Sequence, residues 1–432
     1  MPSPHILIIG AGQAGGRAAE ALRGAGYTGP VTMVGDETEP PYERPALSKG
    51  VLLGESGPES TFIHPRDHWR AKDIELVCGV RAEAIAPASR SVLFSDGKRL
   101  DYGHLILATG SRVRPLIGVN DTLGGVHYLR TIADCKRLAK DLTPGKRVVV
   151  IGGGFIGLEV ASTAAKLGLE VTVVERQPAL LERALPADIA AQVERLHRRQ
   201  RVEFRLGAGV SALMGTGGNG GGRVTAVGLA DGSELAADVV VIGIGIIPNT
   251  ELAESAGAES ADGVVTDEFG RTSVEGIWAA GDVTSHYNPM LGQRVRLESW
   301  QNAQNQAIAV ARNVAAATSL PASTPVAYSE VPWFWSDQHG VNIQMAGLAR
   351  QGAQTVWRGD PASGRAIAFC MIDARIVCAT AFNAGGEIRF ARKLIESRTP
   401  VSAGDLSDSS KKLKDLAART EPRVSAVGAA AA

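Results

Sequence analysis

The chain has no charge of one sign to spare: 45 Lys and Arg stand against 45 Asp and Glu in 432 residues, and the pI lies near 7.1. Such a balance creates no global field for nucleic acid or an anionic membrane, so a charged partner must be met by a local patch. Cysteine is scarce. The four present, Cys78, Cys135, Cys370 and Cys378, form no C-x-x-C motif and no spacing typical of a zinc site or disulfide framework, which fits a reduced cytosol. Long apolar runs are missing as well; the longest, residues 239–247, is far too short to span a bilayer. The N-terminus enters an apolar strand at residue 5 without the basic region and long apolar stretch of a signal peptide. These absences predict a cytoplasmic protein that meets neither nucleic acid nor membrane. Histidines are few. His64 and His68 lie four apart, but Pro65 between them argues against a regular helical metal-binding face, and no metal site is expected.

What the chain has in quantity is glycine, 51 residues, and twice it is spaced as G-x-G-x-x-G. The first case is Gly10, Gly12 and Gly15; the second is Gly152, Gly154 and Gly157. A lone triplet of this kind is weak, because chance supplies it in so glycine-rich a chain. Context strengthens both. Each follows an apolar strand, residues 5–9 and 147–151, and each opens a helix, so a pyrophosphate can rest on unpaired N–H groups at a helix start. Two dinucleotide sites, and hence two redox cofactors, are expected.

Each fingerprint sits in a βαβ unit. The first runs from strand 5–9 through a helix at about 14–23 to strand 31–34; the second ends in strand 171–174 and Glu175. The acid that usually closes the second strand of such a unit is displaced in the first case, where Gly35 takes the place and Asp36 and Glu37 follow, so Asp36 is the candidate for ribose contact. Glu175 is placed directly, and a carboxylate there accepts from the adenosine 2′-hydroxyl and repels a 2′-phosphate. One like-charge pair at about 4 Å and an effective dielectric near 20 costs about 4 kcal/mol. NADH is therefore favoured, although the adjacent Arg176 leaves NADPH open. Residues 202–241 read as a meander of short strands, with the glycine run 215–222 as a hairpin connection, since no Gly-Lys-Ser/Thr follows it. At 276–282 a strand runs into Gly281 and Asp282 and the first domain resumes. From about residue 321, Trp333, Phe334, Trp335 and Trp357 crowd into a chain with only 5% aromatics. The expected division is an FAD-binding domain from 1–111 and 246–322, an NAD-binding domain at 112–245, a C-terminal domain at 323–412, and a disordered tail at 413–432.

These motifs in this order resemble the flavoprotein disulfide reductase superfamily and, more narrowly, the NADH-dependent ferredoxin reductases that serve cytochromes P450 and ring-hydroxylating oxygenases. The likeness rests on residues 41–49 (Pro-Tyr-Glu-Arg-Pro-Ala-Leu-Ser-Lys), 108–110 (Ala-Thr-Gly), 128–131 (Tyr-Leu-Arg-Thr), 152–159, Gly281 with Asp282, 298–300 (Glu-Ser-Trp) and 332–338 (Pro-Trp-Phe-Trp-Ser-Asp-Gln). It implies an α/β fold with two Rossmann-like dinucleotide-binding domains and a C-terminal α+β domain, like glutathione reductase. The implied cofactors are FAD at the first site and NADH at the second, and the implied partner is a [2Fe-2S] ferredoxin feeding a P450 or Rieske oxygenase.

For FAD the resemblance implies Gly10, Gly12, Ala14 and Gly15 at the pyrophosphate, Asp36 in the adenosine region, Lys49 near the isoalloxazine, Arg130 on the phosphates, Asp282 on the ribityl chain and Trp300 beside the ring. Arg44, Ala82, Ala108, Thr109 and Gly110 complete that set. For NAD the set is Gly152, Gly154, Phe155, Ile156, Gly157, Glu175, Gly243 and Gly245. The resemblance also brings Lys49 and Glu159 together near flavin N5, where the cation would stabilise negative charge arriving with the hydride and the carboxylate would hold the cation. The stretch 44–49, where related enzymes carry redox cysteines, has none, and Cys78 is distant in sequence. Electrons are then expected to leave singly, with Trp300 and Trp335 as candidates for covering the flavin edge. Arg294, Arg296, Arg312, Arg389, Arg392 and Lys393 are eligible for a patch that steers an acidic ferredoxin. An NADH oxidase or rubredoxin reductase, and a flavin-containing binding protein like apoptosis-inducing factor, remain open alternatives, as does monomer against homodimer.

Overall fold

The alternation of fully apolar strands with small-residue helices forces parallel sheets buried on both faces, because each crossover helix lays its apolar side on the sheet it has just left. In the computed structural model, which describes residues 3–216, 222–318 and 324–418, this happens twice. The strand Ile6–Ile9, buried along its whole length, leads into helix α1 (Gln13–Gly24) and returns as Val31–Gly35. A short helix α2 (Arg66–Ala71) precedes a third parallel strand, Ile74–Cys78, which pairs with Val31–Gly35. On the other side Ile6–Ile9 pairs with His104–Leu107, and that strand with Ile277–Ala279. The chain does come back to its first sheet after residue 276.

Helix α3 (Ile132–Asp141) carries a capping box, with Thr131 and Asp134 exchanging bonds with each other's backbone N–H. It is followed by strand Arg147–Ile151, helix α4 (Phe155–Lys166) and strand Glu170–Glu175. This second sheet holds, in order, Glu203–Leu206, Glu170–Glu175, Arg147–Ile151, Val239–Ile242 and Val126–Tyr128, all parallel. Of the expected meander, Glu203–Leu206 thus belongs to the parallel sheet, and the antiparallel part is Val210–Gly215, Val224–Leu229 and Glu234–Ala236. The glycine run joins two paired strands, and its residues 217–221 lie outside the described ones.

The chain divides into two compact units, residues 1–178 with 197–330, and 179–196 with 331–432. Both parallel sheets lie in the first unit, as do the short helix α6 (Glu251–Ser255) and the long helix α7 (Trp300–Thr318). Helix α7 packs on α1 through Ala303, Ala307, Val310, Ala311 and Val314, small and β-branched residues that allow close approach. Helix α5 (Ala187–Arg199) contributes all but its last turn to the second unit. There a five-stranded antiparallel sheet, Trp333–Gln338, Val341–Gly347, Arg375–Phe382, Arg365–Ile372 and Gln354–Asp360, is joined by α8 (Gly385–Ser397), α9 (Ala403–Ser407) and α10 (Leu413–Ala418).

The start of the expected tail is a correction. Residues 413–418 are helical, with Leu413, Leu416 and Ala417 buried, because their apolar residues fall on one face; the rest of the expected tail, 419–432, lies outside the described residues. Among the described residues no helix is long and apolar enough to cross a membrane.

Candidate dinucleotide sites and the carboxylate between them

At the first fingerprint Gly10 has a φ of +111°, and a Cβ there would lie 2.1 Å from the Ala108 carbonyl oxygen. A Cβ on Gly15 would lie 1.8 Å from the Gly10 carbonyl oxygen, so strand, turn and helix meet backbone to backbone. Gly12 differs: nothing lies within 4 Å of its Cβ position. It is the N-cap of α1, without a capping side chain and without an acid in the first turn. The helix start therefore faces open space with unpaired N–H groups and a partial positive charge, which is the environment a pyrophosphate needs. Ala14 is buried close to Gly281, whose own Cβ would come within 2.9 Å of it. Gln13 Oε1 and Asn302 Oδ1 are buried nearby in sequence to the two helix starts and have no hydrogen-bond partner. Orphaned acceptors beside an open glycine turn fit a polar ligand.

The returning strand supplies Asp282. Its carboxylate accepts from Arg130 Nη2 at 3.0 Å and from Ser111 Oγ at 3.4 Å, while Arg130 also donates to Ser111 O and Oγ at 3.2 and 2.8 Å. Burial, and then the nearby Arg44 cation, pull the Arg130 pKa down. A buried guanidinium next to another would be relieved by a bound anion. Arg44 is held by Glu37 Oε1 at 2.6 Å, Tyr42 Oη at 2.6 Å and the Arg130 carbonyl at 2.7 Å. Thr109 and Asn249 exchange two bonds of 2.9 Å, fixing the turn 108–110, in which Gly110 has a φ of +60°.

Asp36 is placed differently from Glu37. Its side chain is 61% exposed and 3.9 Å from Arg81, whereas Glu37 turns inward to Arg44. The glycine before it has a steric cause: a Cβ on Gly35 would lie 2.6 Å from the Ala11 side chain, so no acid can occupy the strand end itself. Ala82 begins a strand of a separate antiparallel sheet and is half-buried.

The second fingerprint repeats the geometry. Gly152 has a φ of +110° and a Cβ there would lie 2.4 Å from the Gly243 carbonyl oxygen; on Gly157 it would lie 2.2 Å from that of Gly152; at Gly154 it meets nothing within 4 Å. Gly154 caps α4, again with no capping side chain and no acid in the first turn. Phe155 is half-buried and Ile156 is exposed at 46%, an apolar side chain at the mouth of the turn. Gly243 follows Val239–Ile242, and Gly245 has a φ of +104°. Here the strand end does carry its acid: Glu175 Oε2 accepts from Gly153 N at 2.6 Å and Oε1 from Gln177 N at 2.8 Å.

One side chain joins the two folds. Glu159, on α4 and only 2% exposed, lies with Oε1 at 2.8 Å from Lys49 Nζ, while its Oε2 accepts from Ser48 Oγ. Lys49 also donates to the Pro45 carbonyl at 3.1 Å, and Thr163, one turn further along α4, donates to the Ser48 carbonyl at 2.7 Å. A buried carboxylate is tolerable only when both oxygens are so satisfied. Ser48, Ser111 and Asn249 were not singled out in the sequence; only Ser48's place beside Lys49 could have pointed to it.

Cysteine does come near this stretch, through an element remote in sequence. Helix α3 brings Cys135 against residues 44–49, where its thiol donates to the Leu47 carbonyl at 3.2 Å. Burial pushes its pKa up to about 11, so it stays a thiol at neutral pH and is no nucleophile. Cys78 is half-buried, and its thiol donates to the Glu39 carbonyl at 3.3 Å.

Comparison with known proteins matches residues 4–307 to the pyridine nucleotide-disulphide oxidoreductases and 333–417 to the reductase C-terminal family. The chain belongs to the pyridine nucleotide-disulphide oxidoreductase family. It is 43% identical to the ferredoxin–NAD(+) reductase component of the anthranilate 1,2-dioxygenase system of Burkholderia cepacia, over 96% of this chain and 99% of that one. It is 36% identical to putidaredoxin reductase of Pseudomonas putida, over 98% of each. Among solved structures it superposes on the reductase of a covalent putidaredoxin reductase–putidaredoxin complex with a TM-score of 0.92, 36% identity and coverage of 97% and 99%. The ferredoxin reductase of the CYP199A2 system of Rhodopseudomonas palustris gives 0.90, 37%, 96% and 99%. The α/β class with two Rossmann-like folds and a C-terminal α+β domain is that of the family.

Of the remaining expected residues, Trp300 opens α7 and is half-buried, and Trp335 stacks on Trp333 with ring centroids 5.2 Å apart. Arg294 donates into the Thr266 and Ser285 carbonyls, and Arg296 is paired with Asp262 and Glu298, so neither offers a free charge. Arg312, Arg389 and Lys393 are exposed, and Arg392 is half-buried. As Pro65 implies, His64 and His68 do not share a regular helical face, since His64 lies before helix α2. Pro65 is the N-cap of α2, and the turn it makes stacks the two imidazoles at 3.8 Å.

Proposed function

We infer that this protein is an FAD-dependent NADH:ferredoxin reductase of an oxygenase system. It takes hydride from NADH and passes single electrons to a [2Fe-2S] ferredoxin that feeds a P450 or Rieske oxygenase. The observation that carries the reading is the Lys49–Glu159–Ser48 cluster, which fastens the helix of the second glycine turn to the stretch 44–49 of the first, in a chain without cysteine in that stretch. The relatives' names add the acceptor class, since those proteins are reductases of dioxygenase and P450 systems.

Bound FAD supplies the exchange between a two-electron hydride and two single electrons, which no amino-acid side chain offers. The protein's own residues do the rest. The helix starts after Gly12 and Gly154 would hold the two pyrophosphates. Arg130, neutralised by Asp282 and flanked by Arg44, would meet phosphate or ribityl oxygens of the first nucleotide. Lys49 presents one fixed positive charge, and Glu159 holds it without spending rotamer freedom at the moment of transfer. Glu175 would take the ribose hydroxyls of NADH in exchange for its present bond to Gly153 N. Residues 1–111 and 246–322 make up the FAD domain in this reading, 112–245 the NAD domain and 323–412 the C-terminal domain, and the site residues are those named from the sequence. This reading places the protein in the cytoplasm.

The decisive test is anaerobic mixing with NADH followed by titration with a [2Fe-2S] ferredoxin and cytochrome c. Flavin bleaching on NADH addition and ferredoxin-dependent cytochrome c reduction are expected; bleaching that no ferredoxin discharges would favour a binding protein, and rapid discharge by oxygen alone an oxidase.

A further inference from the structure

Glu20, His64 and His68 gather on the face of α1 beyond the glycine turn, and the function above makes no use of them. Their ligating atoms all lie within 4.8 Å of one another. His64 Nε2 is 2.6 Å and His68 Nε2 3.9 Å from the same oxygen, Glu20 Oε1. The two rings lie nearly parallel, 17° apart, and each stands edge-on to the fully buried Trp69, at 5.8 and 5.7 Å. That core tryptophan packs beneath both rings; because stacked rings aim their in-plane lone pairs nearly parallel, one imidazole must turn out of the stack to share an ion with the other. The carboxylate is oriented, because its other oxygen accepts from Arg17 at 3.0 Å, and Arg17 reaches on to Glu43 at 3.4 Å.

Packing alone does not explain the arrangement. Two imidazoles stacked face to face gain little unless their nitrogens are satisfied, and the buried Nε2 of His68 has no hydrogen-bond partner. Tetrahedral ligands about 2.1 Å from a metal stand about 3.4 Å apart, a value between the two distances observed. Two nitrogens and one carboxylate oxygen suit a borderline divalent ion such as Zn2+; Mg2+ and Ca2+ demand oxygen donors.

We propose that Glu20, His64 and His68 form a binding site for a divalent transition metal of the zinc class, with the fourth position left to water. The ion would clip the segment before α2, and α2 itself, to α1. Metal bonds to His64 and Glu20 would replace their present hydrogen bond, while Arg17 keeps its hold on the second carboxylate oxygen. The site is separate from both glycine turns and does not depend on the reductase reading.

The FAD-loaded protein, freed of metal by a chelator, is titrated with Zn2+ calorimetrically and with Co2+ by its visible d–d bands. One equivalent is expected to bind. His68→Ala and Glu20→Gln should each weaken binding at least about tenfold, as even the loss of a supporting contact does, with flavin absorbance reporting that the variants remain folded. X-ray absorption of the zinc-loaded wild-type protein needs no variant, and should show two imidazoles and oxygen at about 2.0–2.2 Å. No saturable uptake by the wild-type protein, a sulfur-containing shell, or uptake unchanged in the His64→Ala/His68→Ala pair would each overturn the proposal.

Discussion

The two glycine turns are nearly the same object, and the strands that return to them are not. In both, the first glycine has a φ near +110°, the last glycine lies under the carbonyl of the first, and the middle one is open. At the second strand's end, Gly35 is pressed onto Ala11, and the next acid, Asp36, faces solvent; Glu175 instead stands at the strand end and reaches back to the turn itself. The turn thus provides for what all dinucleotides share, and the strand end provides for what distinguishes them. On the proposed reading, selectivity is concentrated in the second fold.

That contrast can be attacked at four points. The largest effect is expected from the closed glycines: Gly15→Ala and Gly157→Ala each force a methyl into a carbonyl, at a cost of about 3 kcal/mol or more. Gly15→Ala should purify colourless, whereas Gly157→Ala should stay yellow but resist bleaching by NADH; a Gly15→Ala protein with full flavin content and unchanged melting temperature would refute the turn geometry. Next, Glu159→Gln should slow flavin reduction in stopped flow by about 10²-fold, the range seen when one preorganised electrostatic contact is lost, without emptying the FAD site. Lys49→Ala, which strands a buried carboxylate, should in addition lower stability by about 3–5 kcal/mol, read from denaturant unfolding.

Glu175→Ala should narrow the preference for NADH over NADPH by about 10- to 100-fold in kcat/KM, less than the full like-charge cost because the group is only part-buried. Equal kcat/KM for the two nucleotides in the wild-type protein would remove the role. The smallest change belongs to Asp36→Ala. Its exposed contact with Arg81 is worth about 0–1 kcal/mol, so FAD affinity should move by less than about fivefold. A large loss would show that Asp36 turns inward when FAD binds.

What could be read in advance follows the range of the interactions. Glycine spacing, apolar strands and the position of Glu175 are local, and the resemblance carried them to Lys49, Glu159 and Asp282. Contacts that the chain makes only by returning to itself were not legible. Arg130 meets Asp282 across the fold, Cys135 is delivered to Leu47 by a distant helix, and residues 179–196 group with the C-terminal sheet. That His64 and His68 share no regular helical face was legible from Pro65; their stacking was not, because a proline at an N-cap redirects the chain and can bring its neighbours together.

The carboxylate that steadies Lys49 grows from the helix that the second glycine turn opens, so the two sites share one rigid part. On the proposed reading, an engineer who retunes coenzyme choice by shifting that helix would also detune the cation meant for the other nucleotide. Changes confined to the strand end at Glu175 leave this linkage alone, and retargeting of the enzyme to NADPH is best sought there.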